Sequence, residues 1–312
     1  MDVKVSVVAT TYNNANEILA FLKNISFQTY PVDEIVISDG GSSDETVSII
    51  LDYAKECSIK VVCRYGKRLN ISEGYNDAIK NTKNNIIFIA GVGNQYSADV
   101  IELLVKKQIE TDADVVCPWI YGVETDKISE AYSVVYMKNK AGQDGTFGIN
   151  HGSLIKKSIL FEIGFFYEHF VYAGEDAEYI QRLRENKAKI VTEKQAKVYW
   201  DTPHTWTELL KQEKNYAIAQ MQIHSVGTLF RGKWKTIFSI IVILILFAGL
   251  FAKSTRFFSI FLFGTLFSCF LYEWRTLGTT VFFMKMIRRY YRLFLYIRYC
   301  RYFSKSISKG GA

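Results

Sequence analysis

The first ninety residues alternate between short buried-strand patterns and amphipathic helical ones. Val3-Lys4-Val5-Ser6-Val7-Val8-Ala9 predicts a strand running into polar Thr10-Thr11-Tyr12-Asn13-Asn14, and the apolar spacing from about Asn16 to Phe27 predicts a helix. The pattern recurs: Glu34 to Ser38 predicts a second strand, which ends in Asp39-Gly40-Gly41-Ser42-Ser43-Asp44-Glu45-Thr46 and a second helix. Ile59 to Arg64 predicts a third strand, Ile71 to Thr82 a third helix, and Asn85 to Ala90 a fourth strand. Such alternation predicts an α/β fold with a parallel sheet. Ligands of these sheets collect at the carboxyl ends of the strands, where the polar loops fall.

The C-terminal third is different material. Thr236–Ala252 and Phe257–Tyr272 are runs of 17 and 16 uncharged residues. As helices each covers roughly 25 Å at about 1.5 Å per residue, against a hydrocarbon core of roughly 30 Å. The pair predicts a membrane hairpin, spanning or re-entrant, closed by Lys253-Ser254-Thr255-Arg256. Charge follows the same division. The whole chain carries +7, yet residues 231–312 hold 14 Lys or Arg against the one acid Glu273, so the preceding part is net negative. Few of those cations lie in the hairpin turn, and the positive-inside rule then predicts a cell-membrane protein with its N-terminal domain and tail in the cytoplasm. The tail interleaves cations with Phe and Tyr, which suits a basic amphipathic helix on anionic membrane lipid rather than nucleic acid. The organisation expected is a domain over 1–230 and a membrane-associated region over 231–312, with the hairpin at about 236–272 and the tail at 273–312. The five cysteines are scattered without paired spacing, which predicts neither disulfides nor zinc and fits a reducing compartment. The chain opens on a strand pattern rather than an apolar leader, so no signal peptide is expected.

The segment with the most chemistry is Val171-Tyr172-Ala173-Gly174-Glu175-Asp176-Ala177-Glu178-Tyr179, a glycine turn delivering two adjacent carboxylates to the start of an amphipathic helix. Unpaired backbone N–H groups and the positive end of the helix dipole hold carboxylates there. A carboxylate so oriented can take a proton from an attacking hydroxyl. Acidic residues also start helices for stability alone, so this motif gains meaning only from its company.

Several motifs, in order, resemble the inverting glycosyltransferases of family 2, which have the GT-A fold. Thr11-Tyr12-Asn13 looks like the end of the family's first-strand motif, with Thr10 where a proline is usual. Asp39 to Thr46 is similar to the second-strand motif, whose first aspartate contacts the donor's nucleotide base. Ile71 to Ala78 resembles a helix whose asparagine, here Asn76, lies near the nucleotide. Phe147 to Phe166 resembles the acceptor-side segment, with His151 near the acceptor. Gly174-Glu175-Asp176 matches the segment carrying the catalytic base, which would be Asp176, with Glu175 orienting the site and Gly174 on its acceptor side. The resemblance spans roughly residues 3–216 and implies a Rossmann-like GT-A domain that takes a nucleotide-sugar donor. Each motif also reads more plainly: Ser42 to Glu45 has capping-box spacing, Gly40-Gly41 can simply make a turn, and a helical asparagine is often a surface residue.

One departure stands out. After its fourth strand the family usually carries an Asp-x-Asp pair that binds a divalent metal, Mg or Mn, across the donor diphosphate. Ala90 and Val92 occupy those positions, in Ile89-Ala90-Gly91-Val92-Gly93-Asn94-Gln95. A hard cation needs oxygen ligands, so the metal is doubtful. Three explanations stay open: substitutes such as Asn94 and His204 hold a metal; backbone N–H groups of the Gly91, Gly93 and Asn94 loop, with Lys67 or Arg68, stabilise the diphosphate; or catalysis has been lost. Glycines permit close approach to phosphate. The expected function is transfer from a nucleotide sugar, held by Thr11, Tyr12, Asn13 and Asp39, to a lipid-linked or glycan acceptor at the cytoplasmic membrane face. The alternative is a retired domain acting as a membrane scaffold. Processive polysaccharide synthesis is disfavoured by the lack of a Gln-x-x-Arg-Trp motif.

Overall fold

The computed structural model describes residues 3–137, 149–170, 173–224, 228–229, 233–249, 251 and 256–299. The chain divides into two compact units, Met1–Glu124 with Tyr136–Thr202, and Thr125–Val135 with Pro203–Ala312. The sequence-based boundary at 230 differs from this, because residues 125–135 and the long helix that starts at Trp206 pack within the second unit.

The first unit runs β1 (Val5–Thr11), α1 (Ile18–Ser26), β2 (Glu34–Asp39), α2 (Thr46–Glu56), β3 (Lys60–Arg64), α3 (Ile71–Lys80), β4 (Ile86–Ile89), β5 (Gln95–Tyr96), α4 (Val100–Thr111) and β6 (Val115–Gly122), then β7 (Ser153–Lys156), α6 (Lys157–Ile163), α7 (Glu175–Glu185) and β8 (Ile190–Trp200). The expected strands and helices of the first ninety residues form within about two residues of their predicted ends. One eight-stranded sheet joins them in the order β3-β2-β1-β4-β7-β6-β8-β5. Strands β3, β2, β1 and β4 are parallel, as the alternation requires. The second half departs from the expected parallel sheet: β7 is antiparallel to both β4 and β6, and β5 to β8, so the sheet is mixed. An antiparallel partner needs no crossover helix, and so it leaves no strand–helix alternation to read in the sequence.

Strand β2 is buried along its whole length and β1 nearly so, which is why their sequences are apolar runs rather than alternating ones. Val8, Val36, Ile87 and Ile89 pack with Tyr75 and Ala78 of α3 and with Tyr179 and Leu183 of α7 in one core. Helix α3 begins with a full capping box, Asn70 accepting from the Glu73 N–H while Glu73 accepts from the Asn70 N–H. On the buried side of α3, Gly74 lets the helix press against β1: a Cβ there would stand 2.1 Å from Thr10 Oγ1. That hydroxyl also donates to Ser38 O at 3.1 Å.

The second unit contains α5 (Lys127–Tyr132), α8 (Trp206–Ile223), α9 (Trp234–Gly249), α10 (Arg256–Leu277), α11 (Thr279–Met286), a π-helical turn (Ile287–Tyr291) and α12 (Arg292–Arg298). Ala217, Ile218 and Met221 of α8 form its core with Leu229 and with Leu295 and Tyr296 of α12. Buried beside them, Arg292 donates to both Glu213 carboxylate oxygens, at 2.6 and 2.5 Å. Part of the tail expected to lie on lipid is therefore core, and Phe282 of α11 is also buried, 4.5 Å from the Phe270 ring.

The spanning hairpin requires a correction too. Helices α9 and α10 form on the two apolar runs and pack together. Among the described residues, however, no helix is long and apolar enough to cross a membrane. Helix α9 has 16 residues, about 24 Å at 1.5 Å per residue, and α10 spends its 22 residues partly on Glu273 and Arg275. The expected turn at Lys253-Ser254-Thr255, and the tail from Cys300 onward, lie outside the described residues.

Gly→Ala within a helix ordinarily stabilises by up to about 1 kcal/mol. Gly74→Ala should instead destabilise by about 1–3 kcal/mol, read as a lowered urea midpoint at unchanged slope. A raised midpoint would show that Thr10 yields.

Candidate active site

The carboxyl ends of β1 and β4, the loop after β4 and the end of β8 surround a cavity of about 330 Å³. Its walls include Thr10, Glu17, Ile71, Tyr75, Gly91, Val92, Gly93, Asn94, Asn150, His151, Trp200 and Asp201. Gly91, Gly93, Asn94 and His151, named in the sequence for the donor and acceptor sides, thus share one cavity wall. Gly93 takes φ +96°, a conformation that favours glycine. The Gly91 N–H donates to the Tyr96 hydroxyl (2.9 Å), which donates back to Gly91 O (3.1 Å), and the Asn94 N–H donates to Gly91 O (3.3 Å). Two N–H groups of the loop, those of Val92 and Gly93, make no backbone hydrogen bond among the described residues. His151 packs its ring 4.9 Å from Trp200, and its Nδ1 lies 3.5 Å from the Asn94 amide nitrogen. Burial pulls its pKa down to about 4, so the imidazole is neutral at pH 7.

Gly174, at φ +109°, caps α7 and delivers the carboxylate pair. Glu175 is 2% exposed. Asn150, a wall residue of the cavity, donates to its Oε1 at 3.2 Å, while Oε2 is buried without a partner among the described residues. Asp176 is half-buried, and its Oδ1 accepts the Ala177 N–H at 2.7 Å. Asp176 is not itself a wall residue; the pair connects to the cavity through the Asn150 bond to Glu175, and the hydroxyl of the wall residue Tyr75 is pushed to higher pKa by burial first, then by Tyr96 and by both carboxylates. Burial raises both acids, and the neighbouring Asp176 charge raises Glu175 further, to about 8. Two adjacent carboxylates in this setting hold one proton between them at neutral pH. Asp176, with the amide bond and the wetter position, carries the charge, and Glu175 keeps the proton.

A second cavity of about 240 Å³ lies at the carboxyl ends of β2 and β3, lined by Asp39, Cys63, Arg64, Lys67, Leu69 and Asp77 among others. Asp39 accepts from the Gly41 and Ser42 N–H groups (3.0 and 2.9 Å) and from Ser42 Oγ (2.5 Å), so its carboxylate first of all shapes its own loop. Asn13, at φ +52°, joins that loop by accepting the Ser43 N–H at 2.9 Å and donating its own N–H to Ser42 Oγ at 2.8 Å. Thr11 donates to Asn14 Oδ1 at 3.0 Å and is buried, whereas Tyr12 is exposed. Arg68 lies against Gly41.

Asn76 departs from its expected donor contact. Its amide donates to Phe166 O and Glu168 Oε1, both at 2.9 Å, and accepts the Phe166 N–H at 3.0 Å, so it clamps the segment before α7 and reaches neither cavity. His204 belongs to the second unit, where its Nδ1 lies 2.5 Å from Asp126 Oδ2 and holds that carboxyl down to about 2.

The residues fit a dicarboxylate-held metal poorly. Ala90 and Val92 offer no side-chain oxygen, and the described residues contain no group of three or more His, Cys, Asp or Glu able to hold a metal ion. Sequence reasoning missed Glu17, Tyr75, Trp200 and Asp201 as wall residues. Asp201 had a signal, a polar residue ending a strand beside other strand ends; Tyr75 had none beyond its place one residue before Asn76.

The sequence profile of glycosyl transferase family 2 matches residues 6–170, and the chain belongs to that family. A dolichyl N-acetyl-alpha-D-glucosaminyl phosphate 3-beta-D-2,3-diacetamido-2,3-dideoxy-beta-D-glucuronosyltransferase of Methanococcus voltae is 27% identical over 243 residues, 69% of this chain and 72% of that one. Glycosyltransferase GlyA of Streptococcus pneumoniae is 27% identical over 115 residues, 37% of this chain and 16% of that protein, so the chain spans only a small part of this relative. Among solved structures, the mannosyltransferase PcManGT of Pyrobaculum calidifontis, in complex with GDP-Man and Mn2+, matches with TM-score 0.56 at 20% identity, over 70% of this chain and 62% of that one. The first unit is thus a glycosyltransferase domain with a GT-A-like mixed sheet.

The Glu175 proton has a stability signature. Its folded pKa lies above the unfolded one, so the native state retains a proton the unfolded chain has lost, and stability falls as pH rises from the ordinary carboxyl range toward about 8. Glu175→Gln should flatten that slope, matching the parent near pH 4 and exceeding it by about 1 kcal/mol or more at pH 8. Parallel pH profiles in urea melts would contradict the assignment.

Proposed function

We propose that the protein is an inverting glycosyltransferase that moves a sugar from a nucleotide-sugar donor to a lipid-linked or glycan acceptor at the cytoplasmic face of a membrane. Asp176 deprotonates the acceptor hydroxyl as it attacks the anomeric carbon opposite the diphosphate, in a single displacement. The observation that carries this reading is the carboxylate pair at the start of α7, buried enough to hold one proton and joined to the cavity by Asn150. Burial raises Asp176 toward the range where a base is effective near neutral pH. Glu175, protonated, leaves that charge undiluted.

The donor nucleotide occupies the cavity beside Asp39, whose following loop is tied to Asn13. The departing diphosphate needs compensation for its charge. The unbonded N–H groups of Val92 and Gly93, with Lys67 of the nucleotide cavity, supply it in place of the carboxylate-held cation the family usually employs. Neutral His151 and Asn150 stand on the acceptor side. The relative from Methanococcus voltae bears a name that specifies a dolichyl phosphate-linked acceptor, which together with the exposed apolar faces of α9 and α10 supports a lipid-linked acceptor here. Those helices then lie at the membrane surface rather than crossing it. A second reading, a retired domain that scaffolds at the membrane, is favoured by Ala90 and Val92 alone.

Asp176→Asn should lower kcat about 10²–10⁴-fold while nucleotide-sugar affinity, read by calorimetry, changes less than about threefold. In the parent, kcat should rise with pH on its acid side as Asp176 ionises. Undiminished transfer by the variant would remove Asp176 as base. A parent that binds no nucleotide sugar, with or without manganese, would favour the scaffold.

A further inference from the structure

A third cavity lies beside the candidate active site, between α1 and the edge strand β5, and at about 470 Å³ it is the larger of the two. Both have Glu17, Gly93 and Asn94 in their walls, whereas the nucleotide cavity beside Asp39 shares no wall residue with it. It therefore adjoins the place where transfer is proposed, not the nucleotide.

One side of this cavity is rigid. Asn24 of α1 donates to Tyr96 O and accepts the Tyr96 N–H, both at 2.9 Å, and the Phe21 ring meets that of Tyr96 edge to face with centroids 6.4 Å apart. The other side is Tyr199 of β8, which stands directly opposite Gln95 in the β5–β8 register. Tyr199 is also the cross-strand partner of Tyr121 in β6, and the two rings stack with centroids 5.7 Å apart. Directly opposed residues point to the same face of a sheet, so Gln95, Tyr199 and Tyr121 form one row across three strands. Both tyrosine rings nevertheless stay open to solvent, Tyr199 at 38% and Tyr121 at 40%. An exposed aromatic face beside a cavity of this size, with a few polar groups around it, is the composition of a small-molecule site.

The wall chemistry selects the ligand. Among the described residues that line this cavity none is Lys or Arg, and the junction with the active site carries the exposed acid Glu17, whose Oε2 accepts from Asn14 Nδ2 at 2.7 Å. Phosphates and other anions are disfavoured by such a wall. It offers instead an aromatic face, an amide at Gln95 that both donates and accepts, and a carboxylate acceptor. A pyranose is the complement: its C–H face carries the slight positive charge that a ring face attracts, and its hydroxyls bond to amide and carboxylate.

We propose that this cavity is a subsite for one sugar of an oligosaccharide acceptor, stacked on Tyr199 and hydrogen-bonded by Gln95 and Glu17, next to the sugar that receives transfer. The subsite rests on the transferase reading above and narrows its acceptor to a glycan of two or more sugars, with or without a lipid carrier.

The test titrates the full chain with chitobiose, cellobiose, maltose, lactose and mannobiose, each beside its constituent monosaccharides, by ligand-observed NMR. At least one disaccharide should bind about tenfold more tightly than its monosaccharides. Tyr199→Ala should abolish that gain, and Gln95→Ala should reduce it about threefold. Ala20→Trp, which fills the cavity from an exposed position of α1 and removes no contact, should abolish it as well. Phe161→Ala, at an exposed aromatic of α6 outside the cavity, should leave it intact. Equal binding of monosaccharide and disaccharide in every pair, no binding of any disaccharide, or a gain that survives either Tyr199→Ala or Ala20→Trp overturns the proposal. Nucleotide-sugar binding is measured on the same samples: donor binding without a disaccharide gain defeats this subsite alone, and a disaccharide gain without donor binding defeats the transferase reading instead.

Discussion

Two adjacent acids cannot both stay charged where Glu175 and Asp176 sit. Glu175 is sealed from water and, among the described residues, has one carboxylate oxygen without a partner, while Asp176 keeps a backbone amide and partial solvent access. Placing a second negative charge beside the first in such surroundings costs more than retaining a proton. The rest of the candidate site is arranged about that division of labour. Asn150 ties the protonated acid to the cavity wall, and Tyr75, anchored to Ala90 O at 3.0 Å, spans from the helix bearing it to the loop after β4.

The fold keeps this arrangement stiff. Gly74 allows α3 to lie against β1, which fixes Tyr75 one position on; Asn76, next in turn, locks the segment that leads into α7. Three consecutive residues of one helix thus connect the parallel half of the sheet to the carboxylate pair. In the proposed reading the 91–94 loop answers a separate need: among the described residues the Val92 and Gly93 N–H groups make no backbone hydrogen bond, and Ala90 and Val92 provide none of the usual oxygen ligands. Loop amides cannot replace a divalent cation charge for charge. They are, however, fixed dipoles that need no reorganisation as the leaving group departs.

Much of the first unit was legible in the sequence because its inner strands are buried on both faces and therefore read as apolar runs, and because each is followed by a polar loop and an amphipathic helix. The antiparallel strand β7 had no such signature and was missed. Within the site, the Gly174 turn and the strand-end motifs were readable, since backbone demands at glycine and the burial of Asp39 leave composition signals. The role of Asn76 was not, because whether an amide faces a ligand or clamps a neighbouring segment depends on residues ninety positions away. In the second unit, hydropathy registered the apolar runs but could not tell that Arg292 would pair with Glu213 or that Leu295 and Tyr296 would become core. Those contacts are long-range, and a basic aromatic stretch looks the same whether it packs on protein or on lipid.

The division of charge between the two acids can be observed directly by following the side-chain carboxyl carbons of glutamate and aspartate by 13C NMR as pH is raised from 4 to 10, with Glu175→Gln and Asp176→Asn used to assign the signals. The account predicts one glutamate carboxyl that remains protonated at pH 7 and titrates near 8, beside an aspartate that has ionised below it. If both groups are ionised by pH 6, the buried pair holds no proton and the account of the site fails.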